Sequence, residues 1–354
     1  MEINVLDLFS GVGGFHLGLE RAGFKVNSFF SEVDKYAIQV YKNNFKNSTY
    51  VGSVTDVRGG ELPRIDAITF GSPCQDFSLA GKRKGMGGDR SSLITEAIRL
   101  ISECRPRFFI WENVKGTFSS NNGADFWAII QAFTNIGGYR LEWQLLNTNW
   151  FLPQNRERIY LVGYLGDGSR GQIFPIGESD KKVDELQGQQ GNTCTLTTRY
   201  GADGNGSYII ERKQYAQEVL VKSNTKKGYE VAKEGDSINL SVPNSKTRRG
   251  RVGKGQAQTL DTQCNLAVID AVNYQGIANT LTSVTKDNLV VSKIDIRKLT
   301  PIECERLQGF PDNWTKYGTE GEISDTQRYK MCGNAVTVDV VAAVANKIYN
   351  LFNK

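Results

Sequence analysis

One histidine, His16, serves the whole 354-residue chain. A Ser-His-Asp triad or a histidine-rich metal site has almost nothing to be built from. Proton transfer must fall to carboxylates, Arg, Lys, Tyr or water, and no metal is expected. The cysteines (Cys74, Cys104, Cys194, Cys264, Cys304 and Cys332) form no CxxC pair and no disulfide framework, so free thiols in a reducing compartment are the simplest reading. No run approaches a membrane span. The amino terminus opens on an acidic residue and a glycine-rich turn, not a secretory leader, so neither anchor nor signal peptide is expected. Charge is only mildly unbalanced, at +5, which permits a nucleic-acid partner without demonstrating one. The length allows two domains and a substantial core.

What is present begins with alternation. Apolar strands over Ile3–Phe9, Lys25–Glu32, Ile65–Phe70, Phe108–Trp111, Tyr139–Leu146 and Arg158–Leu165 are read among helical patterns over Phe15–Ala22, Asp34–Asn43, Ser91–Ser102 and Asp125–Asn135. Repeated βα units predict an α/β fold with a mainly parallel, doubly wound sheet. From about Gly177 the chain turns to Gly, Thr, Ser, Asn and Lys, and helical periodicity disappears until about Thr300. Three Thr-Leu segments there (195–198, 259–262 and 280–283) each precede a polar turn and an apolar strand, at Tyr208–Ile210, Leu266–Ile269 and Leu289–Val291. They predict a small β-rich domain. Thr300-Pro301-Ile302-Glu303 has a capping-box layout, Gly309 would stop that helix, and Gly333-Asn334-Ala335-Val336 leads into a last apolar helix to about Phe352.

Four constellations carry chemistry. Cys74 sits in Gly71-Ser72-Pro73-Cys74-Gln75, at the carboxyl end of the strand Ile65–Phe70, where open α/β sheets place their ligands. The loop beyond it carries four glycines among Lys82, Arg83 and Lys84. A thiol there suits a nucleophile that meets a polyanion, set against the usual fate of a free thiol as a buried structural residue. Asp7–Phe15 is a strand running through Gly11, Gly13 and Gly14 into a helix, the layout that lets backbone approach a nucleotide-like ligand, although its spacing is not GxGxxG. Glu32, at the end of the next strand, is placed to accept ribose hydroxyls. Glu112-Asn113-Val114 ends the strand Phe108–Trp111; taken alone, such a glutamate is more often merely solvated. In Gln154–Tyr160, alternation puts Arg156 and Arg158 on one face, suited to a phosphate or an oxyanion, or to an ion-pair ladder with Glu157.

In this order, these motifs resemble the DNA (cytosine-5) methyltransferases of bacteria and phages. The resemblance covers essentially the whole chain outside 177–296. It runs through Asp7–Phe15, Gly71–Ser78, Glu112–Val114, Gln154–Tyr160, Arg297–Pro311 and Gly333–Val336. It implies a Rossmann-like methyltransferase domain over 1–176, completed by 321–354, a hinge and return segment over 297–320, and a target-recognition domain over 177–296. It implies S-adenosylmethionine as cofactor, leaving as S-adenosylhomocysteine, held by Phe9, Ser10, Gly11, Gly13, Gly14, Phe15, Glu32, Val33, Ser53, Pro73, Leu93 and Asn334. Cys74 would attack C6 of a cytosine flipped from duplex DNA, Glu112 would hold N3 and the exocyclic amine, and Arg158, supported by Arg156, would stabilise charge near the ring carbonyl.

Two departures from the family pattern lie on the adenine side: Val33 where an aromatic residue is common, and Ser53 where Asp is common. Both predict a looser cofactor affinity. Expected DNA contacts are Gln75, Ser78, Lys82, Arg83 and Lys84 on the nucleophile loop, and Arg199, Tyr200, Arg248, Arg249, Arg251, Lys254 and Gln263 in the recognition region. The resemblance further implies a restriction-modification or DNA-protection role in the cytoplasm of a bacterial or phage-infected cell. Any partner endonuclease would form no stable complex, and one chain, acting as a monomer, holds every part. Three alternatives stay open: an RNA cytosine-5 methyltransferase, an amino-group methyltransferase (which needs a proline-proline-aromatic motif where Ser72-Pro73-Cys74 stands) and a catalytically silent DNA-binding protein.

Overall fold

The computed structural model describes residues 1–71, 92–166, 171–177, 219–233, 235–239, 241, 250–260, 262, 266–271 and 294–353. Its first strand, β1 (Glu2–Leu8), is apolar on both faces: Ile3 and Val5 enter one core, Leu6 and Leu8 the other. That two-sided pattern marks a strand covered by helices above and below. It recurs in β5 (Phe108–Val114), where Phe108 and Ile110 face one way and Phe109 and Trp111 the other. With β2 (Lys25–Ser31), β3 (Thr49–Tyr50), β4 (Ala67–Gly71), β6 (Tyr139–Asn147) and β8 (Glu157–Leu165) they form a seven-stranded sheet in the order β3-β2-β1-β4-β5-β8-β6. The short strand β7 (Gln154–Asn155) stands outside it.

The order reverses at β1 and β4, which leaves a crevice over their carboxyl ends. β8 is the reversed strand, antiparallel to both β5 and β6. The reason is local. Only Thr148–Arg156 separates β6 from β8, too little chain for the crossover a parallel pair needs.

Helices α1 (Gly14–Arg21) and α7 (Val338–Phe352) cover one face, and α3 (Ser92–Cys104) and α4 (Ala124–Asn135) the other, so the sheet is doubly wound as expected. A Cβ on Gly18 would lie 2.5 Å from Val341 Cγ1, so glycine there is what lets α1 and α7 approach so closely. Asp34 caps α2 (Lys35–Asn44), accepting the Tyr36 N–H at 2.9 Å. The capping box at Thr300 is formed as expected: α5 (Pro301–Leu307) starts there and Gly309 follows its end at φ +77°.

The sequence reading did not anticipate α6 (Asp325–Asn334), which buries only Arg328, Met331 and Cys332. By length and composition 325–352 could cross a membrane, but it is two helices broken at Ala335–Thr337, with the apolar face of α7 in the core.

Beyond Gly177 the described residues are β-rich. β9 (Val219–Lys222) pairs with β10 (Tyr229–Ala232), and β11 (Ser237–Asn239), β12 (Val252–Gly253), β14 (Leu266–Ala271) and β15 (Ile294–Lys298) form an antiparallel sheet in the order β12-β11-β14-β15. The expected strand at Leu266–Ile269 lies in β14; those at Tyr208–Ile210 and Leu289–Val291 fall outside the described residues. β13 (Ala257–Gln258) leaves this sheet and pairs in parallel with β7.

Candidate active site

The crevice over β1 and β4 holds a cavity of about 550 Å³, a volume suited to a nucleoside-sized ligand. Each wall follows from a strand end. β1 ends at Leu8, and Phe9 takes φ +52°, a left-handed backbone uncommon outside glycine. Gly11 (φ +53°) and Gly13 (φ +87°) complete the turn, and Gly13 caps α1. Gly13 does not line the cavity; a Cβ there would lie 2.3 Å from the Phe45 ring. Phe9, Ser10, Gly11, Gly14 and Phe15 do line it.

Glu32 holds this loop to β2. Its Oε2 accepts the Gly11 N–H at 2.8 Å, and its Oε1 accepts the N–H groups of Val33 and Asp34 at 2.8 and 2.9 Å. With one hydrogen bond to Oε2, the carboxylate keeps acceptor capacity on its cavity side. Ser10 Oγ is buried against the same cavity and makes no hydrogen bond among the described residues, an orphan that a polar ligand atom would satisfy. Ser53 and Leu93 also line the wall, and Val33 stands on the rim at 78% exposure.

Beneath the loop, β1 carries a buried polar network. Asp7 Oδ1 accepts from Thr69 Oγ1 at 2.8 Å, Tyr41 OH lies 3.2 Å from Asp7 Oδ2, and His16 Nδ1 lies 3.0 Å from the Tyr41 hydroxyl. Burial pushes the Asp7 carboxyl up to about 8, despite the hydrogen bonds from Thr69 and Tyr41 that favour its charge. The lone histidine, stacked on Phe45 with ring centroids 3.6 Å apart, is thereby tied into the support of the loop.

The far wall comes from β5 and β8. Phe108 and Ile110 face the α1/α7 core, so the next residue of that face, Glu112, emerges into the cavity at the strand end. In the antiparallel register Glu112 lies opposite Tyr160 and Val114 opposite Arg158, which brings Arg158 diagonally onto Glu112. Arg158 Nε stands 3.2 Å from Glu112 Oε1, both side chains mostly buried. Burial, reinforced by the Glu112 carboxylate, drives the Tyr160 phenol far above its ordinary range, so it stays neutral. Glu157, the ladder partner the sequence allowed, pairs instead with Lys115 at 2.8 Å.

Arg156 also lines the cavity, but its guanidinium turns to the chain. It donates to Ala335 O at 2.8 Å and Gly333 O at 3.4 Å, the carbonyls on either side of Asn334. Asn334 is on the wall, joined by residues that the sequence reading assigned to no site: Lys330, Met331, Ala335 and Val336. Lys330 Nζ reaches Asp34 Oδ2 at 2.6 Å across the rim. Burial opposes ionisation of Asp34, but the Lys330 hydrogen bond and the Tyr36 and Ala37 N–H groups outweigh it and hold its carboxyl below the ordinary value. The α6 sequence has no apolar stripe, so only the position of Asn334 hinted that this segment returns to the site.

Cys74 and its neighbours Pro73, Gln75, Ser78, Lys82, Arg83 and Lys84 lie outside the described residues, as do Arg199, Tyr200, Arg248, Arg249 and Gln263. Gly71, three residues before Cys74, lines the cavity beside Glu112. Of the two expected DNA contacts that are described, Lys254 is exposed and reaches Asp236 at 2.8 Å. Arg251 corrects the expectation made for it. It is 6% exposed and donates to Lys222 O at 2.7 Å and Asn239 O at 3.0 Å, so its guanidinium joins β9 to β11 and faces no solvent groove. Among the described residues no cluster of side chains could hold a metal.

Comparison with known proteins identifies the family. The family described as C-5 cytosine-specific DNA methylase matches residues 3–350. The Type II methyltransferase M.FnuDI of Fusobacterium nucleatum is 31% identical, covering 98% of this chain and 94% of that protein. The Type II methyltransferase M.HaeII of Haemophilus aegyptius is 31% identical over 99% and 94%. The crystal structure of S. pombe Dnmt2 methyltransferase shares the fold, with a TM-score of 0.59, 17% identity and coverage of 99% of this chain and 98% of that one. On the family match over nearly its whole length, the chain belongs to the C-5 cytosine-specific DNA methylases and is a DNA cytosine-5 methyltransferase.

Proposed function

We propose that S-adenosylmethionine occupies the cavity under the glycine loop while a cytosine, extruded from duplex DNA, lies against Glu112 and Arg158. The observation that carries this reading is one cavity with two chemistries on its walls. Ser10 and Glu32 present unspent polar atoms on one side, and a glutamate–arginine pair stands on the other. When bound, the cofactor supplies an electrophilic methyl group for C5. On the rim, Val33 leaves the purine side open. Val33→Trp is expected to tighten the cofactor roughly five-fold in a calorimetric titration, as one aromatic contact would. An unchanged dissociation constant would mean that the rim does not touch the purine.

Cytosine C5 is a poor nucleophile, and the remedy is covalent. The Cys74 thiolate adds at C6, forming the S–C6 bond and moving the C5–C6 π pair to C5. Glu112 holds protonated N3 and the exocyclic amine, so the ring accepts those electrons as a neutral enamine. Arg158 faces the ring carbonyl and keeps Glu112 aligned. After C5 is alkylated, its proton passes to water, the C–H pair re-forms the C5–C6 double bond, the S–C6 bond breaks, Cys74 leaves as thiolate and N3 gives its proton back to Glu112. A base inside a duplex cannot reach such a pocket, hence the extrusion.

Residues 177–296 are the proposed target-recognition domain, 297–320 the hinge, and 321–354 the part that completes the catalytic domain of 1–176. The chain would act as a monomer in the cytoplasm of a bacterial or phage-infected cell, protecting DNA from an endonuclease it does not stably bind. The test is expression in a methylation-free bacterial host followed by bisulfite sequencing. Protected cytosines at one short motif support the reading, and none from folded, cofactor-binding protein would sink it. A duplex carrying 5-fluorocytosine at that motif should trap a covalent complex mapping to Cys74, because fluorine cannot leave as the proton does.

A further inference from the structure

The peptide unit joining Asn155 to Arg156 is held at both poles by parts of the chain remote from one another. Its carbonyl, Asn155 O, accepts from Thr259 Oγ1 at 2.9 Å. Its N–H, that of Arg156, donates to Asn147 Oδ1 at 3.1 Å. Asn147 Nδ2 also donates to Asn155 Oδ1 at 2.8 Å, so the end of β6 grips both residues. From the opposite side β13 lies parallel to β7, with Ala257 opposite Gln154, Gln258 opposite Asn155, and the Ala257 N–H donating to Pro153 O at 2.7 Å. A pair of two-residue strands has few ladder bonds, so the threonine side chain is a large share of what fixes this peptide plane.

That plane is the entry to β8, whose own ladder to β5 and β6 begins at Glu157. The next side chain, Arg156, spans the Gly333 and Ala335 carbonyls beside Asn334, and Arg158, two residues on, meets Glu112. A rotation of the 155–156 peptide would swing the Arg156 guanidinium off the cofactor wall and shift the start of β8, the strand on which Arg158 meets Glu112. Thr259 and Asn155 themselves are absent from the cavity wall.

Resting on the reading of 177–296 as the target-recognition domain, we propose that Thr259 and Asn155 are positioning residues: through the Thr259–Asn155 bond, seating of the target duplex on the recognition domain sets the orientation of Arg156 and Arg158. Recognition and chemistry are thereby joined by one oriented peptide. A duplex that seats poorly leaves the peptide, and the two arginines, out of line.

The test uses the full chain and a duplex bearing the motif mapped by bisulfite sequencing. Thr259→Val keeps the shape and β-branching but removes the donor. Its single-turnover methylation rate at saturating duplex and cofactor is expected to fall roughly five-fold, the worth of one hydrogen bond. Both dissociation constants and the melting midpoint should stay at wild-type values, and Thr259→Ser should restore the rate. Asn147→Ala, which frees the other pole, should slow the same step, and the double variant should lose less than the product of the two single losses. An unchanged rate in Thr259→Val, or a rate loss matched by an equal loss of duplex affinity, would overturn the inference while leaving the enzyme's function intact. Should Thr259→Val not fold, Thr259→Ala against Thr259→Ser makes the same comparison. A wild type that methylates no cytosine would instead overturn the functional reading, and this inference with it.

Discussion

Glu112→Gln is expected to lower turnover about 1000-fold, the middle of the range for a positioned acid-base group, with duplex affinity nearly unchanged. Glutamine has the shape of glutamate, and the site around it is fixed by β5 and β8, so the fold has no reason to respond. What the amide lacks is a proton to share with N3 and a charge for Arg158 to face. C6 then stays a poor electrophile, and the adduct forms slowly even with the cytosine fully extruded. Glu112 Oε1 is buried and, although 3.2 Å from Arg158 Nε, has no well-aligned hydrogen bond among the described residues. Arg158→Ala should cost much more in the wild type than in the Glu112→Gln background, because the two act as a pair. Rapid-quench rates on the trapping duplex would check both statements. A Glu112→Gln enzyme within ten-fold of wild type would remove Glu112 from the chemistry.

Much of this site was legible in the sequence because its parts sit at strand ends, and the strands announce themselves. Ile3, Val5, Leu6 and Leu8 are buried on two faces, so Phe9–Phe15 had to emerge at the sheet's carboxyl edge, and Glu32 and Glu112 follow by the same logic. The capping box at Thr300 is a local signal and was read correctly.

What escaped was non-local. α6 has no apolar stripe, because it buries an arginine: Arg328 donates to Glu305 Oε1 at 3.1 Å inside the fold. Arg251 sits in a run of basic residues that reads as a groove-facing loop, yet only the pairing of β11 with β12 decides that it points inward. The parallel contact of β7 with β13 joins residues about a hundred positions apart, and two-residue strands carry no periodicity to predict it. Alternation predicted Arg156 and Arg158 together, but not that they would take different work.

That division leads to the second large effect. Arg156→Ala is expected to cost about 3–5 kcal/mol of stability, since it strands two acceptors and opens a cavity in a packed junction. Arg156 is 4% exposed, and Ala335 O and Gly333 O depend on it for the bonds at 2.8 and 3.4 Å. Those carbonyls flank Asn334 on the wall of the cavity proposed for the cofactor, so S-adenosylmethionine should bind at least about ten-fold more weakly, the equivalent of 1.4 kcal/mol. Arg156→Lys should recover only part of either loss. An ammonium is a point donor, whereas the planar guanidinium reaches both carbonyls at once. Urea denaturation and calorimetric titration of the same preparations would separate the two losses. A substrate-facing arginine would give the opposite pattern, with stability and cofactor affinity intact and only the methylation rate reduced. Finding that pattern would move Arg156 from the scaffold to the reacting base. Finding the predicted one leaves Arg158 as the guanidinium that faces the cytosine and Arg156 as the brace that holds the cofactor wall upright beside it.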